Sequence, residues 1–371
     1  MNIVIVGHID HGKSTLIGRL LYDSGNLPES RLSEMQAMCE EYKKKFEFSS
    51  FLDAFSDEVE EERTIGTTEA VFKGKYLHTL IDVPGHLEFI EAMLTGASHA
   101  EAAIIVVDVT KGLEEQTKRH LNLIKLLGIS NIIAAVNKMD LVDYNIGAFN
   151  NISTQFETYK VVPISALTGD NIYTRSERFG TYKVTSLVEL LDYWEDSKIS
   201  KPTPQRFLVQ GVLSNKVLGF GRLEKDRRVK FMPSRLESMV LDVGDAGSVT
   251  LSGKLPKRGE VGFQDITPKP ASKVWVKLFV LDGQLREWDR FEFRCGTASV
   301  ECGVLQVNKR ISSETGLDIP GQFLKKHDMG IVVLSVEPIV VLEFEKDKEL
   351  GRVTLSKRGK NVAVGVVLGY E

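Results

Sequence analysis

An α/β domain built on a parallel sheet, followed by two small all-β barrels, is the architecture that this 371-residue sequence predicts. Three observations predict it. As far as residue 199, apolar runs alternate with amphipathic stretches of helical period, the pattern of a parallel sheet covered by helices. A polar linker bearing two prolines then occupies 197–205,. Beyond it the hydrophobic period falls to two, in short segments separated by turn signals, as in small barrels,. The expected domains are 1–199, 205–263 and 264–371.

The first strand is Ile3-Val4-Ile5-Val6, apolar throughout as a strand buried on both faces must be,. Gly7-His8-Ile9-Asp10-His11-Gly12-Lys13-Ser14 follows and reads G-x-x-x-x-G-K-S. Thr15, Leu16, Ile17, Leu20 and Leu21 then recur at helical spacing. Strand, glycine loop and helix together form the context of a phosphate-binding loop. The glycines let backbone N–H groups turn inward, the helix dipole and Lys13 add positive charge, and the Ser14 hydroxyl suits magnesium. Further strands are expected at 77–83, 102–107, 131–136 and 160–164, and helices at 88–93, 114–127 and 186–194. The stretch 28–47 is charged with helical period, and the acidic stretch 49–68 reads as a loop over the phosphate site. After the linker, strands are expected at 206–212, 239–243, 248–251, 273–280, 290–294, 298–307, 330–334, 339–344, 351–355 and 362–368.

Composition narrows the function classes. Hydrophobic residues at 42%, charged residues at 26% and a net charge of −4 describe an ordinary globular chain without global attraction to nucleic acid or anionic membrane,. No DNA partner is expected. No run approaches the roughly 18 apolar residues of a membrane span, so no membrane association is expected either. Cys39, Cys295 and Cys302 make neither a metal-ligand spacing nor an even-numbered disulfide framework, and a reducing cytoplasm fits them best,. A strand that begins at Asn2 leaves no room for a secretion signal,.

Four further segments carry chemistry. Asp82-Val83-Pro84-Gly85-His86 ends a strand, where the acid can hold magnesium through water and the Gly85 N–H can face a γ-phosphate. Asn137-Lys138-Met139-Asp140 ends another, and the Asp140 carboxylate suits the paired N1–H and exocyclic amine of guanine. Adenine lacks that pair of donors, and an unpaired carboxylate is costly. Ser165-Ala166-Leu167 follows the next strand and can close the base pocket with a backbone N–H. In Glu62-Arg63-Thr64-Ile65-Gly66-Thr67-Thr68, a threonine can ligate magnesium while the γ-phosphate is present; spacing favours Thr68 over Thr67. His8 and His11 flank the loop, but Asp10 is the one carboxylate near them in sequence, so packing and phosphate-side hydrogen bonding are their expected roles.

The set GHIDHGKST, ERTIGTT, DVPGH, NKMD and SAL resembles the elongation factor Tu family of translation-type GTPases, and the likeness covers the whole chain. The resemblance implies an α/β P-loop GTPase domain followed by two small all-β barrel domains, with GTP/GDP and Mg2+ as cofactors. Within that family, STLIGRLLYDSG, FEFSSFLDAFSDE, AEAAIIVVDVTKG, QTKRH, LLGI, NKMDLVDY and CGTASVECGVLQVNKRISSETG are most similar to the GTPase subunit of sulfate adenylyltransferase. That likeness implies an adenylyltransferase catalytic subunit as partner. The alternatives are a carrier of aminoacyl-tRNA to the ribosome and a guanine-nucleotide sensor with little hydrolysis.

By the same resemblance, Lys13 contacts the β- and γ-phosphates, Asp10, His11, Gly12, Ser14, Thr15 and Gly85 belong to the nucleotide-binding set, and Asp10 is similar to a position linked to a monovalent cation near the phosphates. Ser14 and Thr68 bind magnesium, with Asp82 acting through water. Asn137, Lys138 and Asp140 hold guanine beside Ser165, Ala166 and Leu167. His86 orients the attacking water, and Ile9 forms one wing of an apolar gate in front of it. Three departures stand out. The switch reads Gly66-Thr67-Thr68-Glu69 rather than G-I-T-I, so the second gate wing is Thr67. The segment between Asp140 and Val161 is short, which puts one helix in question. The second domain is also short, between Gly219-Phe220-Gly221-Arg222 and Lys230-Phe231-Met232-Pro233-Ser234, which leaves the completeness of its barrel open.

Overall fold

A computed structural model describes residues 1–25, 68–82, 100–156, 158–180, 182, 184–197, 205–214, 216–244, 247–265 and 267–371. The chain forms two units, Met1–Ile199 and Ser200–Glu371.

The first unit is a sheet in the order β2-β3-β1-β4-β5-β6. Its strands are β1 (Asn2–Gly7), β2 (Thr68–Lys73), β3 (Leu77–Asp82), β4 (Ala102–Asp108), β5 (Asn131–Asn137) and β6 (Lys160–Pro163). β2 pairs antiparallel with β3, and the other pairs are parallel. The strands expected from apolar runs all form, each ending within a residue of expectation. Burial on both faces explains why they are legible: β4 has no exposed position,. The helices are α1 (Lys13–Asp23), α2 (Glu115–Leu126), α3 (Ile146–Ser153) and α4 (Leu187–Asp196). α1 turns Leu16, Ile17, Leu20 and Leu21 into a core with Ile3, Ile5 and Leu80 of the sheet and Leu187 and Val188 of α4,. α4 starts just after Ser186 because that residue and Glu189 form a reciprocal capping box,.

Two expectations change here. Thr68, expected at the end of a loop, is the first residue of the edge strand β2. The signal is a short alternation in which Ala70 and Phe72 are buried while Glu69, Val71 and Lys73 face solvent,. The short segment after Asp140 keeps a helix, α3, capped by the Asn145 side chain, which accepts from the Ala148 N–H at 3.1 Å,. The expectations for 28–47, for 49–67, for a helix at 88–93 and for Cys39 fall outside the described residues.

The second unit holds two barrels. β7 (Arg206–Leu213), β8 (Lys216–Gly221), β9 (Arg228–Met232), β10 (Leu236–Gly244), β11 (Ser248–Leu251) and β12 (Val261–Phe263) close in the order β10-β11-β8-β7-β12-β9. The shortened domain is therefore a complete barrel. β9 closes it by pairing with β10 on one side and β12 on the other. β13 (Ala271–Val280), β14 (Gln284–Leu285), β15 (Arg290–Cys295), β16 (Ala298–Ile311), β17 (Asp318–Ile319), β18 (Leu324–Lys325), β19 (Met329–Ile339), β20 (Arg352–Lys357) and β21 (Lys360–Tyr370) follow, with a single-turn helix α5 (Lys348–Gly351) before β20. Six of them run β15-β20-β21-β13-β19-β16, and β15 pairs with β16 to close the ring. The strand expected at 339–344 does not form. β19 ends at Ile339, and Val340, with the partly buried Leu342, packs against Leu208, Met232, Val261 and Phe263 of the first barrel. Those apolar residues serve a contact between barrels, which a local pattern cannot distinguish from a strand. Arg206 crosses the same contact, donating from Nη2 to Asp347 Oδ1 at 2.7 Å and from Nη1 to Glu349 Oε2 at 2.9 Å.

Candidate nucleotide site

The phosphate loop is shaped by two glycines and one strained aspartate. A Cβ on Gly7 would lie 2.6 Å from the Val106 carbonyl oxygen, so only glycine lets the end of β1 approach β4 this closely,. Gly12 has φ +91°, and a Cβ there would run into the Asn137 side-chain amide. Asp10 also sits in the left-handed region, at φ 64°. These turns bring the chain into α1 at Lys13, with Ser14 and Thr15 in its first turn, where helix N–H groups have no internal acceptor,. The Lys13 ammonium folds back over the loop and donates to the Gly7 carbonyl at 3.1 Å. Burial pulls its pKa down, and the Asp82 carboxylate opposes that pull. Among the described residues, no carboxylate forms an ion pair with Lys13. A half-buried cation at a helix N-terminus fits a polyphosphate.

Of the residues expected at magnesium, Ser14 lies in the first turn of α1, Asp82 at the end of β3 and Thr68 at the start of β2. Asp82 ends β3, in register with Ile5 of β1 on one side and with Thr68 of β2 on the other. Backbone register thus puts Thr68 directly across from Asp82. Hydroxyl and carboxylate oxygens are the ligands that Mg2+ takes. Ile9 lies on the exposed outer turn of the loop. Thr67, Gly85 and His86 fall outside the described residues.

At the base end, Asn137 is a joint. Its Nδ2 donates to the His11 carbonyl at 2.9 Å, and its Oδ1 accepts from the Ala166 N–H at 2.9 Å. The buried amide therefore ties the phosphate loop to the 165–170 loop. It keeps one N–H and one lone pair for a ligand. Of the backbone N–H groups of Ser165-Ala166-Leu167, one of them expected to close the base pocket, that of Ala166 is taken by this bond. Lys138, at φ 65°, donates to the Asp10 carbonyl at 2.5 Å and pairs with Asp108 Oδ2 at 2.8 Å. Asp108 also accepts from the Thr110 N–H at 2.8 Å and hydroxyl at 2.6 Å. Burial would push its carboxyl up, but these hydrogen bonds and the ammonium outweigh burial and hold it below its usual range,. Asp140 lies in a single 3-10 turn anchored by the buried Met139, and the Ser165 hydroxyl donates to its Oδ1 at 2.5 Å. Ser165 and Ala166 are buried, and Leu167 projects into solvent.

Sequence reasoning missed two residues. Asp108 closes an apolar strand, and a carboxylate at that position is a signal that went unread. Glu114 carries no local signal. It joins His8 and His11 only in space, with Oε2 3.1 Å from His8 Nδ1 and 3.1 Å from His11 Nε2. Asp10, the carboxylate near them in sequence, makes no such contact among the described residues. Burial lowers the pKa of His11, against the opposing hydrogen bond to Val106 and the Glu114 charge.

Comparison with known proteins agrees with this geometry. Residues 1–197 match the elongation factor Tu GTP binding domain, and residues 273–368 match the GTP-eEF1A C-terminal domain-like family. Elongation factor 1-alpha of Pyrococcus furiosus is 32% identical over 419 residues, covering 100% of this chain and 98% of that protein. Elongation factor 1-alpha of Aeropyrum pernix is 33% identical, covering 99% and 96%. That of Sulfurisphaera tokodaii is 34% identical, again covering 99% and 96%. These relatives carry the elongation factor name, so the narrower likeness to sulfate adenylyltransferase is not what they display. The matched family uses GTP or GDP with Mg2+. The chain belongs to the elongation factor Tu and elongation factor 1-alpha family of translation-type GTPases.

Proposed function

We propose that this chain is a GTP-hydrolysing switch that carries aminoacyl-tRNA toward the ribosome in its GTP form. One observation carries the nucleotide part: Asn137 joins the phosphate loop at His11 to the base loop at Ala166, while Ser165 orients the Asp140 carboxylate beside that joint. Both ends of a guanine nucleotide are then read by one connected set of groups. Asp140 accepts from the guanine N1–H and exocyclic amine. Lys13 and the first amides of α1 hold the phosphates. Ser14 and Thr68 would hold Mg2+, with Asp82 acting through water, and the ion would supply charge neutralisation at the phosphates. His86 orients a water whose oxygen attacks the γ-phosphorus in line, with GDP leaving. Ile9 and Thr67 flank His86 as its gate. Loss of phosphate frees Thr68 and the segment after Asp82, which is the switch.

The carrier part is supported by the elongation factor 1-alpha relatives, which align with the chain over its whole length. A second reading has the switch regulate an adenylyltransferase catalytic subunit, coupling GTP hydrolysis to formation of adenylyl sulfate. The short first barrel and the run at 295–316 favour it. A third, a sensor with little hydrolysis, draws on Thr67 in the gate. Filter retention of aminoacyl-tRNA by the GTP-loaded but not the GDP-loaded chain supports the carrier. No retention, with GTP-dependent stimulation of adenylyl sulfate formation by a co-purified subunit, supports the second reading. GTP binding without turnover supports the third.

A further inference from the structure

We propose that His8, His11 and Glu114 form a binding site for a divalent transition-metal ion of the zinc class, other than the Mg2+ position at Ser14. One ligand atom from each of the three residues lies within 4.8 Å of the other two. Glu114 Oε2 is 3.1 Å from both His8 Nδ1 and His11 Nε2. In a tetrahedral site with bonds of about 2.0–2.1 Å, neighbouring ligand atoms stand about 3.3 Å apart. Small side-chain shifts therefore suffice.

The site is built, not incidental. The His11 ring has no exposed surface. Its Nδ1 lies 3.3 Å from the Val106 carbonyl of β4, which can only accept, so Nδ1 carries a proton, and in the neutral ring Nε2 then presents its lone pair,. Anchoring one ring nitrogen on a backbone carbonyl is how proteins orient metal-bound histidines. Among the described residues, neither His11 Nε2 nor Glu114 Oε2 makes a hydrogen bond, and both atoms are buried. With the ring neutral, these two acceptors face each other at 3.1 Å and repel unless a metal ion or a proton stands between them,. His8 Nδ1 also lies 3.0 Å from the Ile9 carbonyl, a contact that metal binding gives up by placing the proton on Nε2. The His8 and Glu114 side chains are 31% and 34% exposed, so two of the three ligand residues reach solvent. Two imidazoles and one carboxylate suit Zn2+, Co2+ or Ni2+ and not Mg2+, which keeps an octahedral oxygen shell. Such an ion would clamp the phosphate loop to the start of α2.

The test is a titration of the full chain with ZnCl2 by calorimetry, after removal of bound metal and free nucleotide and in excess Mg2+ to block the Ser14 position. One equivalent should bind, and CoCl2 should give the visible bands of a four-coordinate ion. Glu114→Gln, isosteric and partly exposed, and His8→Ala should each weaken zinc about tenfold or more. Zinc should raise the melting temperature of the parent chain but not of Glu114→Gln. A folded parent chain that binds no zinc would overturn the proposal, and the His11–Glu114 contact would then hold a proton instead. Unchanged zinc affinity in both variants would overturn it equally, since the ion would be bound elsewhere.

Discussion

Replacing Asn137 by alanine tests the joint on which the nucleotide site is built. The side chain is 2% exposed and makes two hydrogen bonds of 2.9 Å, one to each loop. Each contributes about 1 kcal/mol net, and each buried backbone partner left behind costs about 1–3 kcal/mol. Allowing for a water in the space, the unit should lose about 2–4 kcal/mol. That corresponds to a fall in melting temperature of about 5–15 °C for a unit of this size. Lys138 and the Ser165–Asp140 bond link the two loops indirectly, but the Asn137 amide is their direct bridge, so the loss should also appear in binding. At tenfold per 1.4 kcal/mol, GDP affinity should drop about 30-fold or more, with faster dissociation of a fluorescent GDP in stopped flow. Asn137→Asp keeps the acceptor for Ala166 but sets a carboxylate oxygen against the His11 carbonyl, so it should be about as damaging. Leu167→Ala, at an exposed neighbour, should change stability by no more than about 0.5 kcal/mol. A variant Asn137→Ala that melts within a degree or two of the parent and holds GDP equally well would refute the joint.

Asp140→Asn should shift preference from GTP toward xanthosine triphosphate, measured by competition against fluorescent GDP; retained guanine selectivity would remove Asp140 from the base pocket. His120, on α2, is 2% exposed, and burial, aided by the Lys13 and Arg119 charges, brings its pKa from 6.5 to about 4. Above the ordinary value both folded and unfolded chains carry it neutral, and between the two values only the unfolded chain takes up the proton. Stability should therefore fall as pH drops through that window, by on the order of 3 kcal/mol. Chemical denaturation of His120→Gln should show that much less acid sensitivity. Arg206→Ala strips Asp347, 5% exposed, of its ionic partner and should destabilise the second unit by about 3–5 kcal/mol, read as an early step in calorimetric melting,. A single unshifted transition would count against that role.

Legibility followed the range of the interaction. Strands buried on both faces, such as β1 and β4, are continuous apolar runs, so burial is written locally. The edge strand β2 and the short strands β8, β9 and β12 carry few residues each, and their identity depends on what pairs with them. The apolar stretch after Ile339 could be a strand or a contact, and only the presence of the first barrel decides which.

The sequence by itself determined the phosphate loop, the order of the segments proposed to read guanine and the change from helical to strand period at the linker. Each is set by residues a few positions apart, where covalent geometry and local periodicity fix the outcome. Only the tertiary structure decided that Asn137 joins His11 to Ala166, that Asp108 holds Lys138, that Glu114 meets His8 and His11, and that a shortened barrel still closes. Those outcomes depend on parallel strand order and register, which bring together side chains from distant parts of the chain whose own neighbours carry no trace of the meeting.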